Sequence, residues 1–202
     1  ITNLDKLVEV DLSHNHLSAG SIPTFKLFLS KNRKLESINL ENNFLFDVGG
    51  SQLVEEFVIY NRLEKVNLSR NGISTRTGRV LKELISINGP LVELYLHWNE
   101  LDEESGKDIF LGLENNKKLK VLDLSWNYLG GKKPYTKIIA SSIQKSTFLI
   151  HLDLSFCNFD REDSKILAEG FAQNHTIYVL HFEGNLGFIN HKGFLILEDA
   201  ED

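Results

Sequence analysis

The stretch LKVLDLSWNYL, residues 119–129, is one copy of a phrase that this chain repeats seven times. The other copies are LVEVDLSHNHL from Leu7, LESINLENNFL from Leu35, LEKVNLSRNGI from Leu63 and LVELYLHWNEL from Leu91. LIHLDLSFCNF follows from Leu149, and a worn copy, IYVLHFEGNLG, starts at Ile177. The starts lie 28 residues apart, except for a gap of 30 between Leu119 and Leu149. Self-similarity at such a period marks a solenoid, in which each repeat stacks only on its neighbours.

Counting the first leucine of a copy as offset 0, apolar residues fall at offsets 0, 3 and 5, as in Leu119, Leu122 and Leu124. The last two alternate with polar residues, which is the pattern of a short half-buried strand. Offset 8 carries Asn15, Asn43, Asn71, Asn99, Asn127 and Asn185, with Cys157 in the sixth copy. Asparagine there can hydrogen-bond the backbone of its own and adjoining turns, tying the stack together. The second half of each repeat changes period. Phe25 with Leu29, Leu53 with Phe57, Leu81 with Ile85, Ile109 with Leu113, Ile139 with Ile143 and Leu167 with Phe171 are i, i+4 pairs on one helical face. Thr75 and Asp102 read as helix entry signals, and Pro90 as an exit before the fourth strand. The expected fold is α/β: a parallel sheet lining the concave face of a curved horseshoe, with helices on its convex face. Residues 1–202 form a single domain of about seven repeats.

Seven registered copies of L-x-x-L-x-L-x-x-N-x-L resemble the leucine-rich repeat family, and the 28-residue helical form is similar to its ribonuclease-inhibitor-like subfamily. The resemblance runs from Leu7 to about Gly187. It implies a protein that binds another protein on the concave sheet or an adjoining rim. Members of that subfamily include inhibitors, innate-immune receptors, actin-capping proteins, Ran GTPase-activating proteins and axonemal scaffold subunits. A fold of this kind is specific for architecture and poorly specific for function.

Composition narrows the classes. The chain is 42% hydrophobic and 25% charged, ordinary for a soluble domain, and its longest apolar runs are far too short to span a bilayer. A net charge of −6 with no basic stripe to offset it argues against nucleic-acid binding. One cysteine excludes an internal disulfide and the cysteine-rich caps of secreted repeat proteins, so the cytoplasm is the expected compartment. The sequons at Asn67 and Asn174 are short enough to arise by accident. The chain starts at Ile1 and enters a strand after six residues, which reads as a piece of a longer protein, because an uncapped solenoid end exposes core. At the other end Phe194-Leu-Ile-Leu reads as the start of a helix, and Glu198-Asp-Ala-Glu-Asp as a cap or an acidic tail.

Function should lie in the positions that the fold leaves free. The offset-7 ladder reads His14, Asn42, Arg70, Trp98, Trp126, Phe156, Gly184, and both tryptophans of the chain are in it. Consecutive solvent-facing aromatics are what binding hot spots are built from, although rings that merely stack on one another would give the same ladder. Tyr95, His97 and His151 lie beside them. The offset-4 ladder reads Asp11, Asn39, Asn67, Tyr95, Asp123, Asp153, His181. Adjacent carboxylates at Asp123 and Asp153 should repel and raise one pKa unless a cation intervenes. With His151 and His181 they could form a metal or acid–base site, or an acidic patch that steers a partner carrying Lys or Arg. The amino-terminal positions, Arg70 included, read as ordinary solvated surface. The two extra residues of the fifth repeat fall within Gly130-Gly-Lys-Lys-Pro-Tyr135, as a contact loop or as tolerated drift.

No phosphate-binding glycine loop, nucleophile elbow or zinc-ligand spacing is present. The reading is therefore a non-enzymatic scaffold without cofactor or metal. It binds a protein partner through Tyr95, His97, Trp98, Asp123, Trp126, His151, Asp153, Phe156 and His181. The alternative implied by the resemblance is a Ran-activator-like enzyme regulator. That group has more repeats and an acidic tail, and no catalytic motif of it is matched here.

Overall fold

In the computed structural model, which describes residues 6–197, the phrase becomes a strand seven times: β1 Glu9–Asp11, β2 Ser37–Asn39, β3 Lys65–Asn67, β4 Glu93–Tyr95, β5 Val121–Asp123, β6 His151–Asp153 and β7 Val179–His181. Among the described residues six α-helices alternate with them: α1 Ile22–Lys31, α2 Phe46–Tyr60, α3 Thr75–Ser86, α4 Glu103–Leu113, α5 Lys133–Lys145 and α6 Arg161–Ala172. The strands form one parallel sheet in sequential order, each residue paired with its counterpart in the next repeat, as Asp123 is with Asp153. Helices are wider than strands, so the stack curves with the sheet inside. No helix among the described residues is long and apolar enough to cross a membrane.

The core sits where the spacing put it. Leu119, Leu122, Leu124 and Leu129 are buried, as are Ile139 and Ile143 from the following helix. From the second repeat on, the asparagine at offset 8 ties its own turn to the one before it. Asn99 Oδ1 accepts from the backbone N–H groups of Asn71 and Ile73, while its Nδ2 donates to the carbonyls of Leu68 and Leu96. Cys157 stands in with a weaker Sγ–H donor aimed at the Leu124 carbonyl, and burial pushes its thiol pKa well up. It is a packing residue.

Helix entry follows a rule that the sequence hid. Asp102 caps α4 as expected, accepting from Ser105 N. Thr75 does not cap α3: its hydroxyl donates to Asp102 Oδ2, and the residue at the cap position, Ser74, makes no side-chain cap bond. The cap comes instead from the neighbouring helix. Asp47 in α2 accepts from the backbone N–H groups of Ser74, Arg76 and Thr77. These bonds outweigh burial and hold the Asp47 carboxyl below its usual pKa. Asp47→Ala strands three donors at once and should lower the unfolding free energy by about 1–3 kcal/mol. A urea midpoint equal to that of the unmodified protein would contradict this.

The insertion is also resolved. In the repeats from Leu63, Leu91 and Leu149 the helix starts at offset 12 (Thr75, Glu103, Arg161), but α5 starts at Lys133, offset 14. The extra residues therefore lie in Gly130–Lys132, whereas Lys133, Pro134 and Tyr135 form the first helical turn. Gly131 has φ +111°, open to glycine, and its N–H donates to Asp163 Oδ2. Asp163 is fully buried in the first turn of α6 and also accepts from Thr136 Oγ1 and the Lys133 ammonium. The loop is thus tied down by a buried carboxylate of the next repeat.

Another expectation is overturned. Residues from Phe194 form no helix: Leu195–Ile196 is a strand, β9, antiparallel to β8 at Phe188–Ile189. Asn190 sets the turn, its side chain accepting from the N–H groups of Lys192 and Phe194. The chain alternation then drives Leu195 into the end of the core. The acidic run 198–202 lies outside the described residues.

Candidate interaction surface

The backbone at offset 7 is left-handed in every repeat. His14, Asn42, Arg70, Trp98, Trp126 and Phe156 have φ between 54° and 58°, and Gly184 has φ 76°. Hydrogen bonds impose this conformation. Trp98 N donates to Ser125 O and Trp126 N to Ser155 O, while the next residues, Asn99 and Asn127, donate through Nδ2 to the carbonyls of Leu96 and Leu124 in their own turns. A non-glycine residue there carries strain of about 1–3 kcal/mol. Asn42 and Gly184, residue types that tolerate φ > 0, were the sequence signal for it.

This geometry aims the side chains along one line. Trp98 and Trp126 stack with centroids 4.2 Å apart, and Trp126 and Phe156 at 4.1 Å. The rings both stack and stay exposed, at 43%, 39% and 42% of their free surface. Arg70 closes the amino-terminal end, its guanidinium 4.7 Å from the centroid of Trp98. It is part of the strip, not ordinary solvated surface as its sequence neighbours implied. On the outer side a groove of about 390 Å³ is lined by Arg70, Gly72, Trp98, Glu100, Trp126, Tyr128 and Phe156. Tyr128, largely exposed, and Glu100 went unnoticed in the sequence because offset 9 shows no pattern from repeat to repeat.

On the concave sheet the expected polar residues divide. His97 Nδ1 lies 3.0 Å from Asp123 Oδ2 and 3.0 Å from Ser69 Oγ, with Nε2 3.6 Å from Glu41. Asp123 is not raised by its carboxylate neighbour. Burial pushes its pKa up, but His97, the Ser125 hydroxyl and the Ser125 N–H outweigh it and hold it below the usual range. The Asp123 bond in turn raises His97 above 6.5. Tyr95 faces Glu93, to which its hydroxyl donates at 2.9 Å; burial and then that bond push its phenol up to about 12. Asp153 accepts from Ser155 N, and His151 and His181 face one another with centroids 5.1 Å apart. No group of three or more His, Cys, Asp or Glu is placed to hold a metal ion among the described residues. On the opposite rim Arg33, Lys34 and Arg62 share a groove with Glu36 and Glu64, a mixed cluster that the linear sequence did not reveal.

A pH dependence follows from the His97–Asp123 pair. Because His97 is raised in the folded state, its contribution is complete below its unfolded value, 6.5, and fades as pH rises through the folded one. Asp123 behaves oppositely, contributing above its unfolded value of 3.8 and losing that as pH falls. The stability difference between the unmodified protein and His97→Gln should therefore shrink between neutral and alkaline pH. Parallel urea-midpoint curves would refute the pairing.

Comparison with known proteins agrees with the architecture. A family model described as Leucine Rich Repeat matches residues 6–33, and another described as Leucine Rich repeat matches residues 115–132 and 145–162. No curated protein matches the chain. Among solved structures, the C-terminal domain of tropomodulin from Caenorhabditis elegans superimposes with a TM-score of 0.61 at 17% identity, over 75% of this chain and 92% of that one. The actin-binding site 2 of leiomodin-1 gives 0.57 at 14% identity, over 77% of this chain and 88% of that one. The fold is a leucine-rich-repeat solenoid.

Proposed function

We propose that this chain is a non-catalytic protein-interaction module that takes a partner protein on its concave face and the adjoining rim, centred on Trp98, Trp126 and Phe156. The observation that carries this reading is the exposed three-ring stack on left-handed backbone. Two ring pairs contribute about 1–3 kcal/mol together. Three bulky residues with φ > 0 cost about 3–9 kcal/mol. Stacking does not offset that cost, and asparagine or glycine would fill the positions with less strain. Large rings held there against strain and left open to solvent fit a role in binding. The polar residues around them support docking over chemistry. Asp123 is engaged by His97 and Ser125, and Cys157 is buried with its thiol pKa pushed up.

The 28-residue spacing and the helix in six successive units support a ribonuclease-inhibitor-like subgroup. The single buried cysteine suits a reducing compartment such as the cytoplasm. The net charge of −6 favours a protein over a nucleic acid as the partner. The test is affinity capture with the unmodified protein and a Trp98→Ala/Trp126→Ala variant: a partner held equally by both would remove the surface from consideration. Purified actin is the first partner to try, since the leiomodin-1 segment is named as an actin-binding site. Failure to co-sediment with filaments would dismiss actin and leave the surface reading standing.

A further inference from the structure

The rim opposite the aromatic stack, where the chain enters each strand, changes character between the fifth and sixth repeats. Offset 0 is buried there, at Leu119 and Leu149, so the residues on either side of it face outward. In the fifth repeat these are Lys118 and Lys120, both exposed; in the sixth they are Phe148 and Ile150, exposed at 40% and 39%. The Ile150 N–H donates to the Lys120 carbonyl at 2.9 Å, so the two pairs lie side by side in register. Lys117, also exposed, adds a third ammonium. Among the described residues none of the three lysines has a carboxylate partner. Glu114 is held by Lys145 at 2.9 Å and Glu93 by Lys65 at 3.0 Å. Along the rim Glu64 stands two strands from Lys120, with Val92 between them, about 10 Å away by strand spacing. In a chain of net charge −6 this is a local reversal of sign, set against exposed apolar side chains. Such a pairing selects a partner that is both negative and apolar.

We propose that this rim docks an extended acidic segment of a protein partner, in which carboxylates alternate with apolar side chains. The carboxylates meet Lys118 and Lys120, and the apolar side chains lie on Phe148 and Ile150. Each row steps by two residues, about 6.6 Å, which is the pitch of alternate side chains in an extended chain. Those side chains point to opposite sides, so one segment laid along the boundary of the two repeats serves both rows. A bilayer fits less well: the net charge of −6 opposes approach to an anionic membrane, whereas a narrow segment meets only the local lysines. The rim lies across the sheet from Trp98 and Trp126, and the inference stands independently of them.

The test titrates the peptide acetyl-Glu-Leu-Glu-Leu-Glu-amide into the whole protein and follows the backbone amide signals of residues 117–120 and 148–150. Control peptides replace every Glu by Gln, or every Leu by Ser. Saturable shifts centred on both segments are expected, about fivefold weaker in affinity with either control and with a Lys118→Gln/Lys120→Gln variant. All these substitutions are at exposed positions, and unchanged signals elsewhere verify that the variant is folded. Affinity equal to that of the Gln peptide, shifts centred elsewhere, or indifference to the lysine substitutions would each overturn the proposal. Vesicles of phosphatidylserine and phosphatidylcholine form the third arm. No co-sedimentation is expected, and co-sedimentation that the lysine substitutions abolish would assign the rim to a bilayer instead. None of these outcomes bears on capture of a partner by Trp98 and Trp126.

Discussion

Trp126→Ala is expected to weaken partner binding by about thirtyfold or more, while lowering stability by only about 1–3 kcal/mol. Trp126 is the middle ring of the stack, with Trp98 on one face at 4.2 Å and Phe156 on the other at 4.1 Å, yet it stays 39% exposed. Removing it deletes the centre of the contact surface and frees both flanking rings. Central aromatic anchors typically cost at least about 2 kcal/mol of binding when truncated, which is about thirtyfold. The stability loss is smaller because two exposed ring pairs are worth about 1–3 kcal/mol, and alanine at φ 57° is less hindered than tryptophan. Surface plasmon resonance on the captured partner, paired with urea unfolding, separates the two effects. A large stability loss with unchanged affinity would mean that the stack is structural.

Asp163→Ala should have the largest effect on folding, about 3–5 kcal/mol. The carboxylate is fully buried and gathers Thr136 Oγ1 at 2.6 Å, Gly131 N at 2.9 Å, Asp160 N at 3.3 Å and the Lys133 ammonium at 3.0 Å. Alanine leaves Gly131 N and Asp160 N without their acceptor and Thr136 Oγ1 with only a long bond to the Lys132 carbonyl, while Lys133 keeps Asp160, in the one junction where the repeat is two residues longer. Asp163→Asn keeps the shape but turns a donor toward donors, so it should recover only part of the loss. Urea unfolding measures both. A loss below about 1 kcal/mol for alanine would show that water replaces the carboxylate, contrary to its burial.

The architecture was legible because a solenoid writes its structure in period. Leu122 and Leu124 are buried in β5 and its following turn since those offsets face the core in every repeat and take only apolar residues, and Asn127 is fixed by its bonds to its own turn and the one before it. Helix entry was legible only where the cap is local, as at Asp102. Asp47 caps a helix that begins 28 residues after it, at Thr75, and no local pattern records a bond between repeats. Residues from Phe194 misled because four apolar residues in a row fit a helix or a strand alike, and the Asn190 turn decided for the strand.

The candidate surface divides in the same way. Its three stacked rings were visible, since seven ladder positions can be read side by side from a fixed period, whereas Tyr128 at offset 9 was not. Arg70 was not, because its value comes from lying over Trp98, 28 residues away, while its sequence neighbours are ordinary polar residues. The pairing of Asp123 with Asp153 was read correctly, but its electrostatics were not: the deciding group, His97, comes from the turn after β4, on the other side.

The sequence by itself determined the repeat, the buried offsets, the asparagine ladder and the row of side chains that faces solvent, all consequences of a period that each copy restates. Only the tertiary structure decided that this row is left-handed, that its rings stack with Arg70 over one end, and that a buried aspartate ties in the longer repeat. Those features depend on which atoms of one turn meet which atoms of the next, and a period specifies the spacing of turns without specifying the contacts between them.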